Sequence, residues 1–128
     1  MYQYERKING SIYYYGSNPN NWIGKLALVY VSDYGYAASD ECKQTLNNYN
    51  NTTCKNNNWL FNNSINQWTL SQYAGLSGDA FLVFSAGTVN YHSVDYYQYG
   101  VRPVLYLTSS TQITGGDGTI GSPYTLGL

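Results

Sequence analysis

The feature that most constrains the fold of this chain is a run of apolar residues, 80–84, in its second half. Successive residues of a strand point to opposite faces, and the run divides into two pairs, Phe81 with Val83 and Leu82 with Phe84. The Ser-Ala-Gly that follows has the composition of a turn, and the chain can return as a second strand with Val89 facing inward. The sequence therefore predicts a β-hairpin at this point.

Further strands are expected on both sides of the hairpin. Residues 22–31 are strongly apolar and end in β-branched and aromatic residues, which fits a buried strand better than a helix. Residues 68–70 begin another ordered piece. Residues 101–107 form the last strong strand, and Pro103 restricts this strand to an edge or to an early strand position.

The stretches between these strands predict turns, loops and one or two short helices. Residues 32–36 have turn composition, and Ser39 or Asp40 can cap a short helix over residues 41–50. Three other segments are expected to be irregular: an extended lead-in at 1–21, a polar loop at 50–67 with an apolar anchor at 59–61, and a glycine-rich tail at 114–126 that ends in a short extended piece. The pattern indicates an α+β class.

The expected core consists of apolar residues from the anchor and the strands: Trp59, Trp68, Phe81, Val83, Val89, Val104 and Leu105. Arg102 is the only Lys or Arg after Lys55. We expect Arg102 to anchor a loop through backbone carbonyls or a carboxylate, rather than to bind a ligand.

Two cysteines, Cys42 and Cys54, close a 13-residue stretch. With a single His in the chain they offer too few ligands for a metal site, and the short spacing of redox dithiols is missing. The pattern favours a structural disulfide in an exported protein over two unrelated thiols. A disulfide that closes a loop of this size stabilises a fold by about 3 kcal/mol, because it lowers the entropy of the unfolded chain.

Charge and hydropathy exclude several classes of partner. Only 10% of the 128 residues are charged and the formal net charge is -1, so no basic surplus exists to follow a phosphate backbone. No apolar run approaches the roughly 20 residues of a membrane-spanning helix. We therefore expect neither nucleic acid nor membrane contact, and the length fits one domain, residues 1–128.

Catalytic patterns in the sequence are weak. A pair of His92 with Asp95 is conceivable, but no Ser lies in the nucleophile-elbow context that would complete a triad. The segment 115–123, GGDGTIGSP, lacks the Lys-Ser/Thr ending of a phosphate-binding loop, and Asp117 is its only acidic residue. We expect no enzymatic activity, no cofactor and no bound metal.

The distribution of Tyr points to a contact surface. The interval between Lys55 and Arg102 holds five of the 16 Tyr residues and no Lys or Arg. Tyr gives a large contact area at small entropy cost, and residues 91–100 lack the strict alternation of a half-buried strand. The expected ligand-binding residues are Tyr73, Leu82, Phe84, Asn90, Tyr91, His92, Tyr96, Tyr97 and Tyr99.

Several short motifs follow one another in the C-terminal half: WTLS at 68–71, Phe81-x-Val83, GVRPVLYL at 100–107, ITGGDGT at 113–119 and SPYTL at 122–126. Their order resembles the C-type-lectin-like fold of the formylglycine-generating-enzyme type. It is most similar to bacterial surface domains such as the variable proteins of diversity-generating retroelements and pilin-like surface proteins. The resemblance covers residues 59–126.

The resemblance implies a C-type-lectin-like domain with short, mainly antiparallel strands and a ligand-binding face formed just before Gly100. It also implies display on a bacterial cell surface or phage particle, with the export or anchoring segment outside this chain and a protein or glycan ligand on another cell or particle. In diversified members the mutated codons yield residue types such as Tyr, Asn, His and Phe. Two alternatives remain: a carbohydrate-binding adhesin of fixed specificity, and a divergent enzyme with His92 and Asp95 active.

Overall fold

The computed structural model describes residues 24–76, 78–95, 98–119 and 121–127. The predicted lead-in at 1–21 therefore lies outside the described residues. In chain order the elements are β1 (Ala27–Leu28), α1 (Val31–Tyr36), a 3-10 turn (Leu46–Asn48), α2 (Thr52–Asn56), β2 (Gln67–Gln72), β3 (Asp79–Val83), β4 (Val89–Ser93), β5 (Pro103–Val104), β6 (Gln112–Gly115) and β7 (Thr125–Gly127). The described part of the chain is thus α+β, with antiparallel sheets and two short α-helices.

The predicted hairpin is confirmed as β3 and β4, which pair antiparallel with Phe81 opposite Tyr91 and Val83 opposite Val89. Its turn is closed by the Phe84 N–H, which donates to the Thr88 carbonyl at 2.8 Å. Gly87 has φ +99°, a conformation that side chains with a Cβ rarely adopt. The turn composition noted in the sequence therefore has a steric basis.

The third strand of this sheet, β2, pairs with β3 but contains an irregularity between Trp68 and Gln72. There the Leu70 N–H leaves the ladder and donates to the Val29 carbonyl at 2.8 Å. Thr69 Oγ1 donates instead to the Phe81 carbonyl at 2.8 Å, which keeps that carbonyl paired. The irregularity thus connects the central sheet to the chain just after β1.

The core lies between one face of the central sheet and the helical layer. It contains Phe81, Val83 and Val89 from the sheet, Val31, Tyr34 and Ala37 around α1, and Tyr49, Cys54 and Leu60 from the region of the disulfide. The predicted core positions Phe81, Val83 and Val89 are therefore confirmed. Burial of these side chains on both sides is what fixes the helical layer against the sheet.

Tyr34 is the polar centre of this core. Its hydroxyl donates to the Gly87 carbonyl at 2.9 Å, and its own carbonyl accepts from Asn58 Nδ2 at 2.8 Å. The ring lies 5.8 Å from that of Tyr49. Burial raises the pKa of Tyr34 well above its ordinary value, because the phenolate would lose its hydration, and Tyr49 adds a smaller rise.

The predicted disulfide between Cys42 and Cys54 is present, with a Cα–Cα distance of 4.7 Å. Cys54 belongs to α2, whose first turn is capped by Asn51 Oδ1 accepting from the Thr53 N–H at 2.9 Å. The bridge therefore ties α2 to the chain that follows α1.

Several local predictions in the N-terminal half are wrong. Of the strand expected at 22–31, the described part forms only β1, because a helix begins at Val31. The Asp33 carboxylate accepts the Tyr30 N–H at 2.8 Å and so stabilises the start of that helix, where the sequence pattern favoured a turn. The helix expected at 41–50 is reduced to the 3-10 turn, and α2 lies in the expected loop.

Two predicted core residues are exposed. Trp59 is 78% exposed while its neighbour Leu60 is buried, so the apolar anchor holds the core through Leu60. Leu105 is also exposed, because the strand expected at 101–107 contains only the two residues of β5, which pair with β1. Trp68 and Val104 are half-buried.

The glycine-rich tail is more ordered than expected, because β6 and β7 form a hairpin around it. Gly116 has φ +81°, and a Cβ at that position would collide with the Pro123 backbone. Asp117 Oδ1 accepts the Thr119 N–H at 3.0 Å, and hydrogen bonds of this kind hold the pKa of the Asp117 carboxyl below its ordinary value. The segment is thus built as a tight turn.

The Tyr34 hydroxyl can be tested by Tyr34→Phe. The change removes the donor to the Gly87 carbonyl and leaves that acceptor buried, so we expect the free energy of unfolding to fall by about 1–3 kcal/mol. Tyr36→Phe is the matched control, because Tyr36 is 80% exposed. Urea unfolding measures both, and equal stability of the two variants would contradict the assigned role of Tyr34.

Candidate functional site

The central sheet has two faces with different surroundings. Its core face carries Phe81, Val83 and Val89. Its opposite face, called the outer face here, is defined by Trp68, Leu82, Asn90 and His92. The register sets this division, because Trp68 lies opposite Leu82, Leu82 opposite Asn90, and His92 opposite Ala80. The predicted site residues therefore divide between two sides of one sheet.

Tyr73 and Tyr91 lie on the core side. Their rings are stacked with centroids 3.6 Å apart and an angle of 4° between planes. Both rings meet the ring of Phe81 edge-on, at 5.5 Å and 6.3 Å. Tyr91 is nevertheless 39% exposed, so this pair closes the core at its margin.

Tyr99 joins the outer face through the chain that follows it. The Trp68 N–H donates to the Gly100 carbonyl at 2.9 Å, and the Gly100 N–H donates to the Asn66 carbonyl at 2.8 Å. These bonds hold the chain beside the start of β2, and the ring of Tyr99 then lies 5.2 Å from that of Trp68. The centroid of the His92 imidazole lies 6.2 Å from that of the same Tyr99 ring.

The structure thus brings Trp68, His92 and Tyr99 together as one aromatic cluster. Trp68 was assigned to the core from sequence and is here half-buried on the outer face. Its pairing with Leu82 places it on the face opposite to Phe81, and this register is visible only in the structure. The cluster is missed when each aromatic residue is considered only by its hydrophobicity.

The other predicted contact residues have different positions. Leu82 has 0% exposure, so its expected contact role is corrected: the side chain belongs to the outer face but is covered there and cannot touch a ligand. Asn90 is exposed on the outer face, and Phe84 is half-buried at the start of the hairpin turn. Tyr96 and Tyr97 lie outside the described residues.

The outer face is electrically neutral. None of the side chains that define it carries a formal charge with His neutral, and Tyr99 adds a phenol. His92 Nδ1 accepts the Ser93 N–H at 3.0 Å, so the proton of the neutral imidazole lies on Nε2. Such a surface suits aromatic stacking and neutral hydrogen bonds.

The same bond bears on catalysis by His92 and Asp95. In a catalytic triad the imidazole donates from Nδ1 to a carboxylate, whereas here Nδ1 is an acceptor. Asp95 accepts instead from the Ser93 hydroxyl in a short hydrogen bond. This arrangement differs from that of an activated general base.

Arg102 has the anchoring role expected from sequence. Its Nη1 donates to the Leu60 carbonyl at 2.7 Å, across 42 positions of the chain. The bond joins the segment leading into β5 to the anchor at 59–61.

Among the described residues, no group of three or more His, Cys, Asp or Glu side chains is placed to hold a metal ion. No helix in that part of the chain is long and apolar enough to cross a membrane. No protein-family model matches the sequence, and comparisons with curated proteins and with solved structures found no similar protein.

Proposed function

We propose that this chain is a displayed recognition domain whose outer face binds a protein or glycan on another cell or particle. The observation that carries the proposal is the cluster of Trp68, His92 and Tyr99 on a neutral sheet face. Aromatic rings with polar tips are typical of contact surfaces, because they bury large areas at low entropy cost.

The two faces of the central sheet have different roles, and this difference supports the proposed function. The core face and the Tyr73–Tyr91 pair hold the fold, and Leu82 is fully buried on the outer face. Substitution at Asn90, His92 or Tyr99 therefore changes surface chemistry without removing a core contact. A recognition domain needs this separation of stability from specificity.

We further propose a C-type-lectin-like fold and an extracellular location on a bacterial cell or phage particle. The disulfide supports the location, because such bonds persist in oxidising compartments. The antiparallel central sheet and the short helices are compatible with the fold.

An origin as the variable protein of a diversity-generating retroelement is the most specific form of this proposal. It is supported by residue types such as Asn90, His92 and Tyr99 at the outer face, where Asn90 is exposed and the other two are half-buried. The DNA beside the gene provides the test: a reverse transcriptase and a near-copy of codons 68 to 103 are expected there. Their absence would leave a recognition domain of fixed specificity.

Binding to cells tests the recognition function itself. We expect the fluorescently labelled chain to bind part of a panel of bacterial and epithelial cells in flow cytometry. Tyr99→Ala should weaken this binding at least tenfold, because it removes the ring between Trp68 and His92. Tyr106→Ala is the matched control and should bind normally, since Tyr106 is 97% exposed and lies away from the cluster in sequence.

Treatment of the cells identifies the class of ligand. Loss of binding after protease treatment indicates a protein, and loss after periodate oxidation indicates a glycan, as the adhesin alternative requires. No binding to any cell, or equal effects of the two Tyr substitutions in variants of unchanged circular dichroism, would contradict the proposed function.

A further inference from the structure

A second candidate site lies outside the central sheet, in a hollow beside α1. The hollow has a volume of about 400 Å³, within the range of small-molecule sites. It is bounded by the helix on one side and by the chain leading to the 3-10 turn on the other. Its lining residues are Ser32, Gly35, Tyr36, Gln44, Thr45, Leu46 and Tyr49.

The walls of this hollow are held by internal contacts. The Tyr49 hydroxyl donates to the Gly35 carbonyl at 3.2 Å, which joins the floor to the helix. Leu46 packs closely on Gly35, where a Cβ would come within 3.2 Å of the Leu46 side chain. Thr45 Oγ1 is bonded to the side chains of both Asn47 and Asn48. The cavity is therefore preformed, which reduces the entropy lost on binding.

Two groups in the hollow are free to meet a ligand. The side chains of Tyr36 and Gln44 are exposed and make no hydrogen bond to any described residue. Tyr36 presents an aromatic ring and a phenol, and Gln44 presents an amide that can donate and accept. None of the seven lining residues carries a charge.

We propose that this hollow binds a neutral saccharide unit. The ring of Tyr36 would stack on the C–H face of the sugar, and the Gln44 amide would pair with its hydroxyls. An anionic ligand would require a cation and a cationic ligand a carboxylate, and the lining supplies neither. A purely apolar ligand would cover the Gln44 amide without offering it a hydrogen-bond partner. The inference is independent of the outer face.

Isothermal titration with neutral and acidic sugars tests the proposal. The probes are glucose, galactose, mannose and N-acetylglucosamine with their β-linked disaccharides, and glucuronic and sialic acid as acidic counterparts. We expect at least one neutral sugar to bind with millimolar or better affinity and the acidic sugars to bind at least tenfold more weakly. Tyr36→Ala and Gln44→Ala should each weaken the binding at least tenfold.

Matched controls separate this site from the rest of the surface. Tyr106→Ala and Gln112→Ala remove the same side chains at exposed positions outside the hollow and should leave sugar binding unchanged. Tyr99→Ala should also leave it unchanged, whether or not the outer face binds a ligand. Absence of binding by every neutral sugar, equal binding of acidic sugars, or full binding by a folded Tyr36→Ala variant would overturn the proposal.

Discussion

The hydrogen bond between the Tyr34 hydroxyl and the Gly87 carbonyl is the constraint on which the rest of the structure depends. It joins the first helix to the turn of the central hairpin across 53 positions of the chain. Gly87 accepts this bond in a left-handed conformation, close to the Tyr49 carbonyl, where a Cβ would not fit. The first helix, the hairpin turn and the region of the disulfide therefore meet at one buried point. This contact fixes the core face of the sheet.

Fixing one face of the sheet determines what the other face can do. Since Phe81 must point to the core, the strand period places Leu82, Asn90 and His92 on the outer face. Leu82 is covered there, while the polar and aromatic groups around it stay accessible. A surface of this kind can change its chemistry without loss of the core, which is the physical basis of the proposed recognition function.

The sequence predicted the parts of the structure that local rules control. The hairpin, the disulfide and the anchoring role of Arg102 follow from alternation, cysteine count and an isolated cation. The helix at Val31 was missed because the Asp33 cap and tertiary packing override a turn-like composition. The division of the aromatic residues between two faces could not be seen, because it depends on the irregularity in β2 and on the Gly100 backbone bonds.

The most direct test of this division is a saturation scan of the displayed chain, sorted once for protease resistance and once for cell binding. The scanned positions are Phe81, Leu82, Asn90, His92 and Tyr99. We predict that Phe81 and Leu82 are restricted in both sorts, whereas the three others tolerate substitution in the first sort and are restricted only in the second. Equal restriction of all five positions in the first sort would contradict the account. Free substitution of Asn90, His92 and Tyr99 in the second sort would contradict it as well.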